Sequence, residues 1–187
     1  MTYKIGVFGS AESNSPTTLK QAKKLGNILG KHRSTVITGA SSGLPLIVAT
    51  EAAKGGSEIW GFSPATSREH HQKLYPDHNL SIYAKLAFVP RSFPFISNDK
   101  VCKKYRNVIS TATCDAGIII AGRWGSLNEF TNLIDMGKTI GVLTGTGGIA
   151  SLLPNLTKKI KKENSGKVFF HHSATTLLNK IIHELSS

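Results

Sequence analysis

Short apolar runs rich in β-branched residues alternate with segments of helical periodicity along nearly the whole chain. The predicted strands are Tyr3–Phe8, Thr35–Thr38, Ile59–Phe62, Leu86–Val89, Ala116–Ile120, Thr139–Leu143 and Val168–Phe170. The predicted helices are Pro16–Lys31, Leu44–Lys54, Asn98–Thr113, Ser126–Met136, Ile149–Lys162 and Ala174–Leu185. This alternation favours an α/β fold, in which a central parallel sheet carries helices on both faces. No repeat or linker divides the 187 residues, so we expect one domain over residues 1–187.

The segment Ser63–Ser81 shows neither an apolar strand-like run nor the periodicity of a helix. It is rich in polar residues, histidine and proline, and we expect an irregular loop there. The adjacent His70 and His71 would point apart on either a strand or a helix. No cysteine or acidic cluster accompanies them, so no metal site is expected.

Small-residue turns follow four of the predicted strands, at Gly9-Ser10, Gly39–Gly43, Gly122–Ser126 and Gly145–Gly148. In a parallel sheet such turns meet at one edge, where ligands bind. The free N–H groups and the dipole at a helix N-terminus attract phosphate. We therefore predict a phosphate-bearing small-molecule ligand. The candidate contacts are Gly9, Ser10, Gly39, Ser42, Gly43, Gly122, Arg123, Trp124, Gly125 and Ser126.

The chain is strongly basic, with 23 Lys and Arg against 11 Asp and Glu and a formal net charge of +12. This balance suits an anionic ligand. The basic residues fall in separate groups within or beside predicted helices, which is typical of solvated helix faces. Because they are not interleaved with aromatic residues, we do not expect a nucleic-acid partner.

Two cysteines, Cys102 and Cys114, are too few for a disulfide framework or a zinc site. A reduced, cytoplasmic setting is expected. The first residues lack the apolar stretch of a signal peptide, and no run is long enough to cross a membrane.

The segment from Ala121 to Glu129, which runs into the predicted helix at 126–136, resembles a motif of the LOG family, Pro-Gly-Gly-x-Gly-Thr-x-x-Glu. Gly122, Gly125 and Glu129 match it, and Ser126 keeps the hydroxyl of its threonine. Ala121 and Arg123 replace its proline and second glycine. Further upstream, Asp115-Ala116 and Arg106 also match the family. Arg106 stands 23 positions before Glu129, which is the spacing that the family shows. Gly39, Gly43 and Leu44 match part of an earlier glycine-rich turn. The segment 141–148 is closer to a branch that resembles molybdenum-cofactor carriers.

This resemblance implies a Rossmann-like fold and hydrolysis of the N-glycosidic bond of a nucleoside 5′-monophosphate, without a cofactor. The products would be a free base and ribose 5-phosphate. The implied catalytic residues are Glu129, which stabilises positive charge on the ribose, and Arg106, which pairs with it. We expect Arg106 to hold the pKa of Glu129 low. The resemblance also implies a homodimer or larger homo-oligomer, with the helices at 98–113 and 126–136 near the contact.

Several alternatives remain open at this stage. Ser126 is also a candidate helix cap. Arg123 either points into solvent or, as we predict, contacts an anionic ligand group, and Trp124 either stacks on a base or packs at a subunit contact. The altered glycines also suit a non-catalytic module that binds a nucleotide or a molybdopterin-type cofactor.

Overall fold

A computed structural model describes residues 2–12, 15–160 and 166–187. Its strands are β1 Lys4–Gly9, β2 Thr35–Thr38, β3 Ile59–Phe62, β4 Lys85–Ala87, β5 Ala116–Ile120, β6 Thr139–Leu143 and β7 Val168–His171. Its α-helices are α1 Pro16–Lys31, α2 Leu44–Lys54, α3 Arg68–Leu74, α4 Asp99–Thr113, α5 Trp124–Asp135, α6 Leu153–Lys159 and α7 Ala174–Ser186. Short 3-10 turns lie at Leu80–Ile82 and Gly148–Ser151.

The seven strands form one sheet in the order β4-β3-β2-β1-β5-β6-β7, and each neighbouring pair is parallel. The chain builds outward from β1 to β4 and then crosses back to place β5 on the other side of β1. In open α/β sheets, this change of direction leaves a crevice at the carboxyl ends of the two central strands. Here those ends are Gly9 of β1 and Ile120 of β5, which lie side by side.

The sheet is covered on both faces, which confirms the predicted three-layer α/β architecture. On one face, α1, α2 and α7 bury residues such as Leu25, Val48 and Leu177 against Ile5 and Ile118. On the other face, the packed residues come from α5, α6 and the second 3-10 turn. Successive strand residues point to opposite faces, so the neighbours Ile118 and Ile119 belong to different cores.

Local sequence signals place most elements correctly. The bounds of β2, α2, β3, β5 and β6 are those predicted. Helix α1 begins at Pro16, and the Ser15 side chain accepts a hydrogen bond of 3.4 Å from the Thr18 amide, as a cap should.

Three predictions about local structure were wrong. Segment 63–81 is not wholly irregular, because Ser67 caps α3 by accepting a hydrogen bond from the His70 amide at 3.1 Å. The predicted helix at 149–162 is a 3-10 turn followed by the shorter α6, and its last two positions lie outside the described residues. Ser126 is not a cap: Arg123 holds the cap position of α5 without a side-chain hydrogen bond, and Ser126 lies buried in the first turn.

The described ranges contain neither a membrane-spanning helix nor a group of metal-binding side chains. None of their helices is both long and apolar enough to cross a bilayer. Within the same ranges, no three His, Cys, Asp or Glu side chains are grouped so that they could hold a metal ion. His71 is instead buried, and its Nδ1 lies 2.7 Å from the Ser63 hydroxyl.

Candidate functional site

A cavity of about 390 Å³ opens where β1, β2 and β5 end. The turns after β1 and β2 form one wall, α4 forms the second, and the first turn of α5 forms the third. Its lining residues are Val7, Phe8, Gly9, Ser10, Ala11, Gly39, Ser41, Pro45, Lys100, Lys103, Lys104, Arg106, Asn107, Arg123, Gly125, Ser126 and Glu129. This is the edge of the sheet at which the sequence predicted a ligand.

Arg106 and Glu129 meet inside this cavity. The distance from Arg106 Nη1 to Glu129 Oε1 is 3.6 Å, and the two side chains are only 11% and 8% exposed. The guanidinium lies directly on the backbone of Gly39, where an added Cβ would overlap Nη1. Among the described residues, Arg106 Nε has no hydrogen-bond partner although it is buried. The cavity therefore contains a nearly buried cation with an unused donor.

Asn107 adds a second contact from α4 to the carboxylate. In the amide orientation that satisfies its neighbours, its nitrogen donates to Glu129 Oε1 at 3.2 Å and to the Lys103 carbonyl at 3.0 Å. Consecutive residues of one helix thus supply a guanidinium and an amide to the same carboxylate. This arrangement fixes the direction of Glu129.

Burial raises the pKa of Glu129 from 4.5 to about 7, although Arg106 and Lys104 act in the opposite direction. The expectation that Arg106 would hold this pKa low was therefore wrong. Removing the ionised carboxylate from water destabilises it by more than the attraction of a guanidinium at 3.6 Å stabilises it. Near neutral pH, Glu129 is present in both protonation states.

The turn between β5 and α5 has an unusual backbone. Ala121 and Gly122 both have positive φ, at 51° and 92°. A side chain on Gly122 would overlap Ser126, and the Gly122 carbonyl accepts a hydrogen bond from the Ile149 amide at 2.8 Å. Gly122 shapes the turn and does not line the cavity.

Eight of the twelve predicted site residues, counting ten ligand contacts and two catalytic side chains, line this cavity. They are Gly9, Ser10, Gly39, Arg123, Gly125, Ser126, Arg106 and Glu129, whereas Ser42, Gly43, Gly122 and Trp124 are absent from the cavity wall.

Two of the predicted contacts that do not line the cavity are Gly43 and Trp124, and each has a different environment. Gly43 has a φ of 94° and lies against the backbone of Ser10 and Ala11, with no room for a Cβ. Trp124 is 82% exposed and so remains accessible for a contact outside the cavity.

Sequence reasoning missed four polar or charged side chains of the α4 wall. Lys100, Lys103, Lys104 and Asn107 stand at the i, i+3, i+4 and i+7 spacing of one helical face. We interpreted the lysines as a solvated surface, and the periodicity alone could have placed them with Asn107. Among the described residues, these lysines together with Arg106 and Arg123 give the cavity five cationic side chains and a single carboxylate.

A sequence model of a protein family, described as the SLOG cluster4 family, matches residues 2–178. The chain belongs to the SLOG cluster4 family. This assignment confirms the resemblance to LOG proteins that the motif around Glu129 predicted. A search of curated proteins gave no match to this SLOG cluster4 protein.

Solved structures with the same fold cover almost the whole SLOG cluster4 chain. The X-ray structure of TM1055 has a TM-score of 0.74 at 16% identity, covering 98% of this chain and 99% of that one. A molybdenum cofactor binding protein from the phototrophic bacterium Rippkaea orientalis has a TM-score of 0.71 at 18% identity, covering 100% and 99%. DNA processing protein A from Helicobacter pylori, described for its single-stranded DNA binding mode, has a TM-score of 0.68 at 16% identity, covering 97% and 81%. At these identities the likeness shows a shared fold.

Proposed function

We propose that this protein hydrolyses the N-glycosidic bond of a nucleoside 5′-monophosphate and releases the free base and ribose 5-phosphate. One observation carries the proposal: Arg106 and Glu129 lie 3.6 Å apart in a cationic cavity at the centre of the sheet edge. The resemblance to LOG phosphoribohydrolases gives the reaction class. The cavity volume of about 390 Å³ is also within the range of small-molecule sites.

The phosphate would bind at the first turn of α5. This helix has 12 residues, and its N-terminal amides are flanked by Gly125, Ser126 and Arg123. Free amides and the helix dipole favour a dianion at this position. Lys100, Lys103 and Lys104 from the opposite wall add positive charge.

Glu129 would act on the ribose. As the bond from C1′ to the base nitrogen breaks, positive charge grows on the sugar and a water molecule adds to C1′. The water proton goes to Glu129, and a proton from solvent goes to the departing base. A carboxylate with a pKa of about 7 is suited to accept a proton at neutral pH. Arg106 and Asn107 orient that carboxylate toward the ligand.

The test is incubation with a panel of purine and pyrimidine nucleoside monophosphates, with chromatographic detection of free base and a coupled assay for ribose 5-phosphate. Glu129→Gln should lower turnover by roughly 10²- to 10⁴-fold. The matched control is Glu58→Gln, because Glu58 is exposed and precedes β3 at the opposite edge of the sheet. Absence of base release by the wild type across the panel would refute the proposal.

The pH profile is a second readout of the same role. A general base must be ionised, so kcat/KM should rise as pH increases through about 7, the pKa of Glu129. A profile that falls over this range would assign Glu129 to a different role.

A carrier function is the second candidate. Arg123 replaces a motif glycine and lines the cavity, which adds a cation without adding a reacting group. The molybdenum cofactor binding protein from Rippkaea orientalis shares the fold over 100% of this chain and 99% of its own. Saturable binding of a molybdopterin-type ligand, without turnover of any nucleoside monophosphate, would favour this candidate.

We also propose that the protein forms a homodimer through α4 and α5. Val108 and Ile109 on α4 are 41% and 37% exposed, and Trp124 and Met136 at the two ends of α5 are 82% and 38% exposed. Covering these apolar side chains would stabilise an assembly. Light scattering should give a dimeric mass for the wild type and a monomeric mass for Val108→Glu. A monomeric wild type would exclude the dimer.

A further inference from the structure

A second cleft lies between α1 and α7, apart from the cavity described above. It encloses about 620 Å³ and is lined by Lys20, Lys23, Lys24, Asn27, Ile28, Lys31, His32, Thr175 and Asn179. The four lysines occupy the i, i+3, i+4 and i+11 positions of α1, so they share one side of this helix. The proposed hydrolysis uses none of them.

The positive charge of this basic cleft is not balanced locally. Helix α1 contains no Asp or Glu, and no acidic residue of the part of the chain that the structure describes lines the cleft. Within the described ranges, none of the four lysines takes part in an ion pair. Like charges at helical spacing repel one another, and an anionic partner would relieve that repulsion.

We propose that the basic cleft binds the sugar-phosphate backbone of a double-stranded nucleic acid. Lys20 and Lys31 are eleven positions apart, which corresponds to about 16 Å along a helix. One strand of a duplex presents about five phosphates over that length. Asn27, Thr175 and Asn179 supply neutral hydrogen-bonding groups for phosphate and sugar oxygens.

The chemistry of the cleft favours this partner over two other polyanions. A membrane-binding helix needs exposed apolar side chains to insert between lipids, and the large exposed hydrophobic residues among those described all lie outside α1 and α7. A single strand is usually held by stacking its bases on aromatic rings, and no Phe, Tyr or Trp of the described segments lines the cleft.

This proposal departs from the expectation that nucleic acid is not a partner. That expectation rested on the absence of aromatic residues among the basic groups. The same absence is compatible with a partner bound by its backbone alone, since phosphate contacts carry affinity without reading bases.

The test is fluorescence anisotropy with labelled DNA and RNA duplexes of about two helical turns. Four phosphate contacts predict a slope of about −3.6 for log K against log salt, or roughly a 100-fold loss of affinity between about 50 and 200 mM salt. The variant with Lys20, Lys23, Lys24 and Lys31 all changed to Ala should lose this binding. The same four positions changed to Arg should retain it.

A control variant with Lys100, Lys103 and Lys104 changed to Ala removes positive charge from α4 and should keep a similar salt slope. Circular dichroism checks that each variant is folded, and the duplex assay contains no mononucleotide, so its result is independent of the proposed hydrolysis. Three results would overturn the proposal: no duplex binding by the wild type, unchanged binding by the four-alanine variant, or tighter binding to single strands or anionic vesicles than to duplexes.

Discussion

Replacing Glu129 with Gln should remove a pH-dependent loss of stability. In the folded protein, burial raises the pKa of this carboxyl from 4.5 to about 7. Between these two values the folded state keeps a proton that the unfolded chain releases. The stability of the wild type therefore falls as pH rises through this range. Below about pH 4.5 both states are protonated, and above about pH 7 both are ionised.

The size of the effect follows from the pKa values. Each pKa unit corresponds to about 1.4 kcal/mol. The change from 4.5 to about 7 thus corresponds to about 3 kcal/mol. Glu129 is only 6% exposed, so solvent screening does little to reduce it. Gln has no titrating group, so the variant lacks this contribution. The difference in unfolding free energy between wild type and Glu129→Gln should therefore change by about 3 kcal/mol across the range.

The assay is urea unfolding of both proteins at several pH values between about 4.5 and 8, in buffers without phosphate, which is a proposed ligand of the site. Relative to the variant, the wild type should lose stability steadily over this interval. Glu58→Gln, with its exposed side chain, should show no comparable change. A difference between wild type and Glu129→Gln that stays constant to within about 1 kcal/mol would refute the claim that burial outweighs Arg106.

Four further predictions address the cavity and its surroundings. Gly39→Ala should displace Arg106 and cost about 1–3 kcal/mol, measured by urea unfolding, because its Cβ would overlap the guanidinium; unchanged stability and turnover would contradict this contact. Gly125→Ala should stabilise α5 by about 0.5–1 kcal/mol, since nothing lies within 4 Å of the added Cβ, and a lower melting temperature would argue against it. Arg123→Ala should weaken AMP binding by about tenfold in calorimetry at an unchanged melting temperature, and equal affinity would mean that Arg123 points away from the ligand. Cys114 should resist thiol reagents until the protein unfolds, because burial raises the pKa of its thiol; rapid labelling of the native protein would contradict its burial.

The sheet and most helices could be predicted because their signals are local. Ile118, Ile119 and Ile120 are apolar in succession because both faces of β5 are covered. The cap at Ser15 marks the start of α1 in the same way. Helix α3 escaped prediction because it is short and polar, and its serine cap gives a weaker signal than an apolar stripe.

The pairing of Arg106 with Glu129 could also be predicted, since the motif and the spacing of 23 positions point to both residues. The protonation behaviour of Glu129 could not, because it depends on how completely α4 and α5 exclude water from the carboxylate. The lysines of the α4 wall have the same difficulty. Their spacing defines a face, but only the packed structure decides whether this face meets solvent or a cavity.

The crossover between β4 and β5 has a consequence for how the protein folds. Ile5 pairs with Ala116, and Gly9 with Ile120, so the centre of the sheet joins two distant parts of the chain. Contacts of such long range are slow to form because a large loop must close first. During synthesis, the inner edge of β1 has no partner until β5 has emerged from the ribosome. A truncated chain that ends before β5 would thus expose an unpaired strand edge, which is a template for aggregation.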